Sequence, residues 1–298
     1  MRQVLVELLR REAPDVVISV HPLLNHVGWQ AIQRSGRRPP LVTVVTDLVE
    51  FHRAWAFRRA DLVIVPTEAA REAVLKRRVP ADRVLLLGLP VSLRFRPPAP
   101  GEQRALRRGF GLAEDRFTIL VSGGGEGSGK LLRQVRALAW GRHEWQVIAV
   151  CGRNEKLQRR LRRLRFGTPI LVLGFVDNMP ELMRAADLLV SKAGPGAIGE
   201  ALATGVPIVL TSYLPGQETE NVSFVTETGI GRYAPQPDLL LETVADLTAD
   251  GGRLCRQMAE RASKLSYPYA ALDIARQSLR LAEARRAATQ RAAVQASR

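Results

Sequence analysis

The ten residues Ser191–Glu200, with the sequence SKAGPGAIGE, carry groups that suit the binding of an anion. They follow a short apolar run and open into a predicted helix. Gly194 and Gly196 let the backbone approach a ligand, and Pro195 suits the first turn of a helix, where its missing N–H is not needed. The free N–H groups of the helix start attract negative charge, and Lys192 adds a cation. An ordinary strand–turn–helix is the alternative for this stretch taken alone.

A polar loop, Tyr213–Asn221, follows the next apolar strand and favours the anion-binding interpretation. It contains Gln217, Glu218 and Asn221. Glu200, one helical turn beyond the glycines, can accept hydrogen bonds from hydroxyl groups. Loops at the carboxyl ends of neighbouring parallel strands share one crevice, where ligands bind. Phosphate, ribose and amide chemistry at two neighbouring strand ends therefore predicts a nucleotide.

A second glycine-rich segment, GGGEGSG at Gly123–Gly129, connects a predicted strand to a predicted helix. This strand–loop–helix context is typical of phosphate binding. The segment is not a Walker A loop, because Lys130 is followed by Leu131 rather than by Ser or Thr, and it is not a clean GxGxxG. A sugar or a diphosphate is the ligand that we expect here.

In the first half of the chain, candidate proton-transfer groups follow two predicted strands. His21 and His26 follow one strand, and Asp47, Glu50 and His52 follow the next. Carboxylates and imidazoles at adjacent strand ends can move protons or hold hydroxyl groups. We favour a structural role for His26 and a functional role for His21, Asp47 and His52.

Apolar runs of strand length alternate with helical segments along the chain, which predicts parallel sheets with helices on both faces. These elements include strands at Phe117–Ser122 and Val206–Leu210 and a helix at Val27–Ser35. A chain of 298 residues suits two such domains. We predict an α/β fold with two doubly wound domains, at residues 1–91 and 102–266, joined by a Pro-rich linker at 92–101 and followed by a C-terminal helix and tail at 267–298. The chain opens with a helix, so we expect the first domain to be incomplete and to lack its opening βα unit. Residues 291–298 are expected to be disordered.

The charge of the chain limits its partners. A net charge of +15 and a pI near 11.0 favour a negative partner, which could be nucleic acid, an anionic membrane surface or a phosphorylated ligand. A GC-rich genome is the alternative source of the many arginines. The sequence has no RNP, helix-turn-helix or zinc pattern that would support nucleic acid. The basic stretch Asn154–Arg165 could dock on anionic lipid or could be a solvated face.

The cysteines and the apolar runs indicate a compartment. Cys151 and Cys255 are far apart in the sequence, which argues against a disulfide framework or a zinc site and fits a reducing cytoplasm. No apolar run reaches the roughly 18 residues of a membrane-spanning helix. The N-terminus has no signal-peptide architecture. We therefore expect a cytoplasmic protein without a metal site.

Several motifs are together similar to one known family. The chain resembles the GT-B glycosyltransferases (family 28-like) of the monogalactosyldiacylglycerol synthase and processive diacylglycerol glucosyltransferase type, relatives of the enzyme that adds N-acetylglucosamine in peptidoglycan precursor synthesis. The motifs occur in the family's order and span nearly the whole chain. They are HPLLNHV (His21–Val27), VTDLVEFHRAW (Val45–Trp55), GLPV (Gly88–Val91), GGGEGSG (Gly123–Gly129), VCGRNEKL (Val150–Leu157), GF (Gly174 and Phe175), SKAGPGAIGEAL (Ser191–Leu202) and PGQETEN (Pro215–Asn221).

The resemblance implies two Rossmann-like domains with a cleft between them, the second of which holds a UDP-sugar. The first would bind diacylglycerol at the membrane surface, with Trp55 and the segment of His52 nearby; packing in the core is the alternative for Trp55. The implied donor residues fall into groups by the part of the ligand that they meet. These groups are Gly123, Gly124 and Gly125 near the diphosphate and acceptor, Phe175 near uracil, Gly194, Pro195 and Gly196 at the phosphates, Glu200 on the ribose, and Gln217, Glu218 and Asn221 around the sugar and diphosphate.

The implied reaction is an inverting transfer of a hexose from the UDP-sugar to diacylglycerol or a related lipid, on the inner face of the cell membrane, without a cofactor or a tightly bound metal. The family opens with a GGGH-type segment whose histidine is the proposed general base, and this chain starts after that segment. His21, Asp47 and His52 are therefore the candidate bases. A UDP-binding module or inactive truncated homologue is the alternative function, and a nucleic-acid binder is the third.

Overall fold

The computed structural model of the protein describes residues 2–49, 51–125 and 130–296, which form two units. Unit 1 contains Met1–Pro90 together with Tyr269–Arg298, and unit 2 contains Val91–Pro268. Glu50 and residues 126–129 of the glycine-rich segment lie outside the described residues. Residues 92–101 form neither a helix nor a strand.

Unit 1 is built on a sheet of four parallel strands in the order β1-β2-β3-β4. Its elements up to Pro90 are α1 (Arg2–Glu12), β1 (Val17–Ser19), α2 (Pro22–Arg34), β2 (Leu41–Val44), β3 (Leu62–Val65), α3 (Glu68–Lys76) and β4 (Val84–Leu86).

Unit 2 is built on a sheet of six parallel strands in the order β10-β9-β8-β5-β6-β7. Its elements are α4 (Glu102–Gly109), β5 (Phe117–Ser122), α5 (Leu131–Ala139), β6 (Trp145–Val150), α6 (Glu155–Arg163), β7 (Ile170–Leu173), α7 (Met179–Ala185), β8 (Leu188–Lys192), α8 (Pro195–Thr204), β9 (Ile208–Ser212), α9 (Thr219–Glu227), β10 (Gly231–Tyr233) and α10 (Pro237–Lys264). The last helix, α11 (Ala270–Ala296), belongs to unit 1.

Helices cover both faces of the unit 1 sheet. Alternate side chains of a strand point to opposite faces, so neighbouring residues of β3 pack against different helices. Val63 and Val65 of β3 pack in the same buried cluster as Val74 of α3. Ile64, between them, packs in a different cluster with Ile274 of α11. The sequence predicts this arrangement of a parallel sheet between two layers of helices, and the structure confirms it.

The central strand pair of unit 2 is β5 and β8, which are far apart in the sequence. Val121 of β5 pairs with Ala149 of β6 on one side and with Val190 of β8 on the other. The chain therefore builds β5, β6 and β7 in one direction, returns to β5, and continues through β8, β9 and β10 in the opposite direction. The loops after β5 and β8 diverge at this reversal, which is where open α/β sheets bind ligands.

Three local predictions differ from the structure. The sequence predicts a helix from Val27, but α2 begins at Pro22, because proline fits the first helical position and His21 caps the helix. The prediction that residues 291–298 are disordered is wrong for residues 291–296, which continue α11. The predicted strand Val206–Leu210 is shifted by two residues and becomes β9 at Ile208–Ser212.

Candidate functional site

A cavity of about 440 Å³ lies at the reversal point of unit 2, at the carboxyl ends of β5 and β8. It is large enough for part of a small organic ligand. Three segments that are separate in the sequence contribute to its wall: the loop after β5, the residues after β7, and the turn between β8 and α8. Eight of the residues that the sequence predicts for the donor line it: Gly124, Gly125, Phe175, Lys192, Gly194, Pro195, Gly196 and Glu200.

The start of α8 is open to the cavity. Gly194 is the N-cap residue, and it has no side chain that could bond to the first N–H groups of the helix. Pro195 has no N–H, and Ile198 donates to the Gly194 carbonyl oxygen at 3.1 Å. The N–H groups of Gly196 and Ala197 therefore point out of the helix start, where its dipole favours an anion. This geometry suits a phosphate group.

A β-bulge in β9 lies opposite the start of the β8–α8 turn. The register of β8 against β9 shifts between Ser191 and Lys192, where β9 has one extra residue, Thr211. The N–H of Ala193 then donates to the carbonyl oxygen of Ser212 at 2.7 Å, which holds the turn on β9. Bulges bend a strand and re-aim its side chains, and they are frequent next to functional sites. Here the bulge accompanies the point at which Lys192 enters the cavity wall.

The loop after β9 supports Lys192 through a buried carboxylate. Lys192 Nζ donates to Glu218 Oε1 at 2.6 Å, and the N–H of Leu214 donates to Glu218 Oε2 at 2.9 Å. The Glu218 side chain is 6% exposed, whereas the Lys192 side chain is 40% exposed. Asn221 is also buried, and its amide donates to the carbonyl oxygen of Ala193 at 2.8 Å. Both side chains thus have protein partners that hold the turn, while Gln217 is exposed.

Glu200 lies on α8, one turn beyond the helix start, and lines the cavity. Burial raises the pKa of its carboxyl group from the ordinary value of 4.5 to about 7. Desolvation has this effect because it disfavours the charged form. A ligand that donates hydroxyl hydrogen bonds would stabilise the carboxylate, so Glu200 is suited to accept bonds from a diol.

The loop after β5 is held in place by a glycine that the sequence analysis did not single out, Gly152. Gly124 and Gly152 both have positive φ angles, of 75° and 57°. A Cβ atom on Gly152 would lie 2.7 Å from the Gly124 carbonyl oxygen and still closer to that of Gly125. The N–H of Arg153 donates to the Gly125 oxygen at 2.9 Å. Only glycine permits this close approach, and a Gly two residues after a strand was the available signal.

Phe175 presents an aromatic ring at the edge of the cavity. The residue is 60% exposed, and the guanidinium carbon of Arg153 lies 4.8 Å from the ring centroid. Because the ring is largely exposed, it is accessible for stacking on a planar base. Gly123, by contrast, directly follows β5 and does not belong to the cavity wall.

In unit 1, the two candidate histidines act as helix caps. His21 Nδ1 accepts from the N–H of Leu23 at 3.3 Å, and His52 Nδ1 accepts from the N–H of Ala54 at 3.3 Å. Both residues are exposed. A neutral imidazole has one basic nitrogen, so a ring that accepts at Nδ1 carries its proton on Nε2. Neither histidine can act as a general base without breaking its cap.

Asp47 and Trp55 form one hydrogen-bonded unit. Trp55 Nε1 donates to Asp47 Oδ2 at 2.7 Å, and Trp55 is 1% exposed. The expectation that Trp55 contacts the lipid is therefore wrong for the indole ring. The alternative of packing in the core is correct, since the ring packs with Val63 and Val74. A carboxylate has several lone pairs, so Asp47 keeps acceptor capacity beside this bond.

Asn25 is a second residue that the sequence analysis did not single out. It is fully buried on α2. Its amide nitrogen donates to the carbonyl oxygen of Ala54 at 2.9 Å, and its Oδ1 accepts from the Thr43 hydroxyl at 3.2 Å. Asn25 thereby connects α2, β2 and the turn that carries His52 and Trp55. An asparagine inside an apolar helix face was its signal in the sequence.

Residues 2–49, 51–125 and 130–296 contain no group of three or more His, Cys, Asp or Glu side chains arranged to hold a metal ion. In the same part of the chain, no helix combines the length and the apolar character needed to cross a bilayer.

Comparisons with known proteins match both parts of the chain to family models. Residues 118–273 match the family model of the glycosyltransferase family 28 C-terminal domain. Residues 1–91 match the model of monogalactosyldiacylglycerol (MGDG) synthase. The chain is 35% identical over 276 residues to a probable monogalactosyldiacylglycerol synthase, chloroplastic, of Glycine max, covering 89% of this chain and 52% of that protein. It is 35% identical over 275 residues to monogalactosyldiacylglycerol synthase 1, chloroplastic, of Arabidopsis thaliana, covering 89% and 51%. The chain thus spans about half the length of these curated relatives.

Solved structures share the fold at low sequence identity. Acinetobacter baumannii MurG aligns with a TM-score of 0.68 and 19% identity, over 94% of this chain and 77% of that chain. Anabaena Alr3699/HepE, in complex with UDP and glucose, aligns with a TM-score of 0.61 and 20% identity, over 91% and 80%. The family 28 model covers more than half of the chain, and it includes the whole cavity wall from Ser122 to Glu200. This chain therefore belongs to glycosyltransferase family 28, has the two Rossmann-like sheets of GT-B proteins, and is similar to the monogalactosyldiacylglycerol synthases.

Proposed function

We propose that this protein is an inverting glycosyltransferase that moves a hexose from a UDP-sugar to diacylglycerol or a related lipid at a membrane surface. The single observation that carries the proposal is the cavity at the β5/β8 reversal, in which eight predicted donor residues meet. The names of the curated relatives support galactose as the hexose and diacylglycerol as the acceptor. The UDP in the Anabaena structure supports the nucleotide.

In this proposal the diphosphate of the donor binds at the start of α8. The N–H groups of Gly196 and Ala197 and the ammonium group of Lys192 stabilise the charge that develops on UDP as it leaves. These groups are fixed before the reaction by the bond of the Ala193 N–H to Ser212 and by the bond of Lys192 to Glu218. Fixed donors need little reorganisation in the transition state, which is the source of their effect on the rate.

The remaining parts of the donor have matching partners. The Glu200 carboxylate accepts from the ribose hydroxyls, and the ring of Phe175 stacks on uracil. Gln217 is exposed on the loop after β9 and meets the sugar. Glu218 and Asn221 act on the donor indirectly in this proposal, because their polar atoms hold Lys192, Leu214 and Ala193.

Transfer also needs a base for the acceptor hydroxyl. We assign this role to Asp47, since the capping bonds of His21 and His52 occupy their basic nitrogens. Trp55 orients the Asp47 carboxylate through its indole N–H. In this proposal Asp47 takes the proton of the acceptor hydroxyl.

A second candidate is a module that binds UDP without transferring the sugar. The observation that favours it is the same pair of capping histidines, which leaves Asp47 as the one remaining base among the three candidates of the sequence analysis. This candidate predicts donor binding of ordinary strength and no turnover.

The test is transfer of radiolabelled sugar from UDP-galactose and UDP-glucose to diacylglycerol in vesicles, with Glu200→Ala as the variant. Loss of a hydrogen-bonded charged acceptor predicts a fall in UDP affinity of about tenfold or more. Wild-type transfer with weakened donor use by the variant supports the proposal. UDP binding without transfer to any lipid supports the binding module, and unchanged UDP affinity in Glu200→Ala contradicts the site.

A further inference from the structure

Helices α5 and α6 lie next to each other on one face of the unit 2 sheet. Val135 and Leu138 of α5 and Leu161 of α6 pack in one buried cluster with residues of β5 and β6. Successive right-handed crossovers place two consecutive helices on the same face of a parallel sheet in this way. The hydrogen bond from the N–H of Gly167 to the carbonyl oxygen of Trp140, at 3.3 Å, joins the segment after α6 to the end of α5. The exposed residues of α5 and α6 therefore lie on the same side of the unit 2 sheet.

This surface carries many cations and few acids. Residues 153–165 contain seven Lys and Arg and one acid, Glu155. Glu155 lies 3.9 Å from Arg159, and both side chains of this pair are largely exposed, so the pair neutralises little of the charge. We call the surface the basic face, and its exposed cations are Arg133, Arg136, Lys156, Arg159, Arg160 and Arg163.

An exposed tryptophan lies at the edge of the basic face. Trp140 is 55% exposed, whereas Trp55 and Trp145 are buried. The guanidinium carbon of Arg136 lies 4.9 Å from its ring centroid, and Phe166 contacts the ring edge-on at a centroid distance of 6.3 Å. An exposed indole beside cations is the combination that anchors proteins at the interface of a bilayer.

We propose that the basic face, with Trp140 as its interfacial anchor, docks this protein on a bilayer that contains anionic phospholipid. The inference rests on the proposed function, in which the acceptor is a bilayer lipid. Cations supply attraction to anionic headgroups, and the indole supplies an amphipathic ring that sits at headgroup depth. Nucleic acid would use the cations too, but the chain shows no nucleic-acid-binding sequence pattern.

The test measures cosedimentation of the full chain with vesicles of phosphatidylcholine and phosphatidylglycerol, and with vesicles of phosphatidylcholine alone. The variant is Arg160→Glu with Arg163→Glu. Its matched control, Arg104→Glu with Arg108→Glu, makes the same change in net charge on α4, which packs against α7 outside the basic face. We expect the first variant to lose about tenfold or more in affinity for anionic vesicles and the control to lose much less.

A second readout follows the indole. Binding to anionic vesicles should shift the tryptophan emission to the blue, and Trp140→Phe should remove most of that shift. Equal losses in the two double variants, or an unchanged shift in Trp140→Phe, would overturn the proposal. So would binding to a DNA or RNA duplex without binding to anionic vesicles.

Vesicle docking and sugar transfer can be measured separately, so the failure of one is distinguishable from the failure of the other. Transfer to diacylglycerol dispersed in detergent does not depend on vesicle docking. If Arg160→Glu with Arg163→Glu keeps that transfer and also keeps vesicle affinity, the docking surface is wrong and the function stands. If the wild type binds vesicles through the basic face but transfers no sugar in detergent, the function is wrong and the docking surface stands.

Discussion

Gly152 lies directly against Gly125, so that the turn after β6 supports the loop after β5. A Cβ atom at position 152 would approach the carbonyl oxygens of Gly124 and Gly125 too closely, at 2.7 Å for Gly124. The N–H of Arg153 bonds to the same Gly125 oxygen. One wall of the proposed donor cavity is therefore fixed by a contact between two glycines whose positions differ by 27 in the sequence.

Gly152→Ala should displace this wall. The positive φ angle costs about 1–2 kcal/mol for a non-glycine residue, and the clash adds to that cost. We expect a lower free energy of unfolding and a UDP affinity that is lower by about tenfold, measured by denaturant titration and calorimetry. The control is Gly109→Ala, since a Cβ there meets nothing within 4 Å. Equal UDP affinity in Gly152→Ala and the wild type would contradict this role.

UDP affinity should depend on pH through Glu200. The pKa of the free carboxyl group is about 7, and ribose hydroxyls stabilise its charged form. Affinity should therefore rise with pH until the free carboxyl group has ionised, by at most about tenfold per pH unit, and level off above about pH 7.5. Calorimetric titrations from acid to alkaline pH check this. Glu200→Gln should flatten the profile, and a wild-type affinity that falls with rising pH would contradict it.

The same group affects stability with the opposite sign. Its pKa in the folded protein is above the value of 4.5 in the unfolded chain, so folding favours the protonated form. The resulting stabilisation is full below about pH 4.5 and is lost as the pH rises through about 7. Glu200→Gln should therefore gain stability relative to the wild type as the pH increases, which thermal unfolding in a pH series would detect.

Lys192→Met should weaken both stability and UDP binding. The variant leaves the buried Glu218 carboxylate without its cation, and solvent at the half-exposed Lys192 position limits the loss to about 1–2 kcal/mol. The double variant Lys192→Met with Glu218→Gln removes the unpaired charge. It should recover stability but not UDP affinity, because the cation at the phosphates is still absent. Recovery of both would show that Lys192 acts only through Glu218.

Asp47→Asn should abolish transfer and leave UDP binding unchanged. The amide can still accept from the Trp55 N–H but cannot take a proton from the acceptor. Matched controls are His21→Asn and His52→Asn, since asparagine is a good helix cap and preserves the backbone bond. We expect both controls to retain most of the transfer activity. Loss of transfer in either control, with Asp47→Asn active, would move the base to that histidine.

Much of unit 2 follows from the sequence because its signals are local. The apolar run Phe117–Ser122 and the Gly-Pro turn before α8 give β5 and the helix start at the predicted positions. The pairing of β5 with β8 joins strands that are far apart in the sequence, and the periodicity of apolar residues does not predict which strands pair. The contact between Gly152 and Gly125 depends on the pairing of β5 with β6 and on the turns that follow these two strands, which periodicity does not predict either.

The side chains of unit 1 were harder to predict for a different reason. Histidine is not among the preferred helix caps, so HPLLNH reads as a loop although His21 caps α2. The sequence alone does not show whether a tryptophan lies at the surface or in the core. Trp55 is buried in the core, where its indole N–H donates to Asp47. Burial of this kind depends on which strands become neighbours.

A crystal structure of the protein with UDP is the most direct test of the central claim, which is that the β5/β8 cavity is the donor site. The account predicts phosphate oxygens within hydrogen-bond distance of the Gly196 and Ala197 N–H groups, ribose hydroxyls on Glu200, and uracil stacked beside Phe175. UDP bound elsewhere in unit 2, or with its phosphates away from the start of α8, would contradict it.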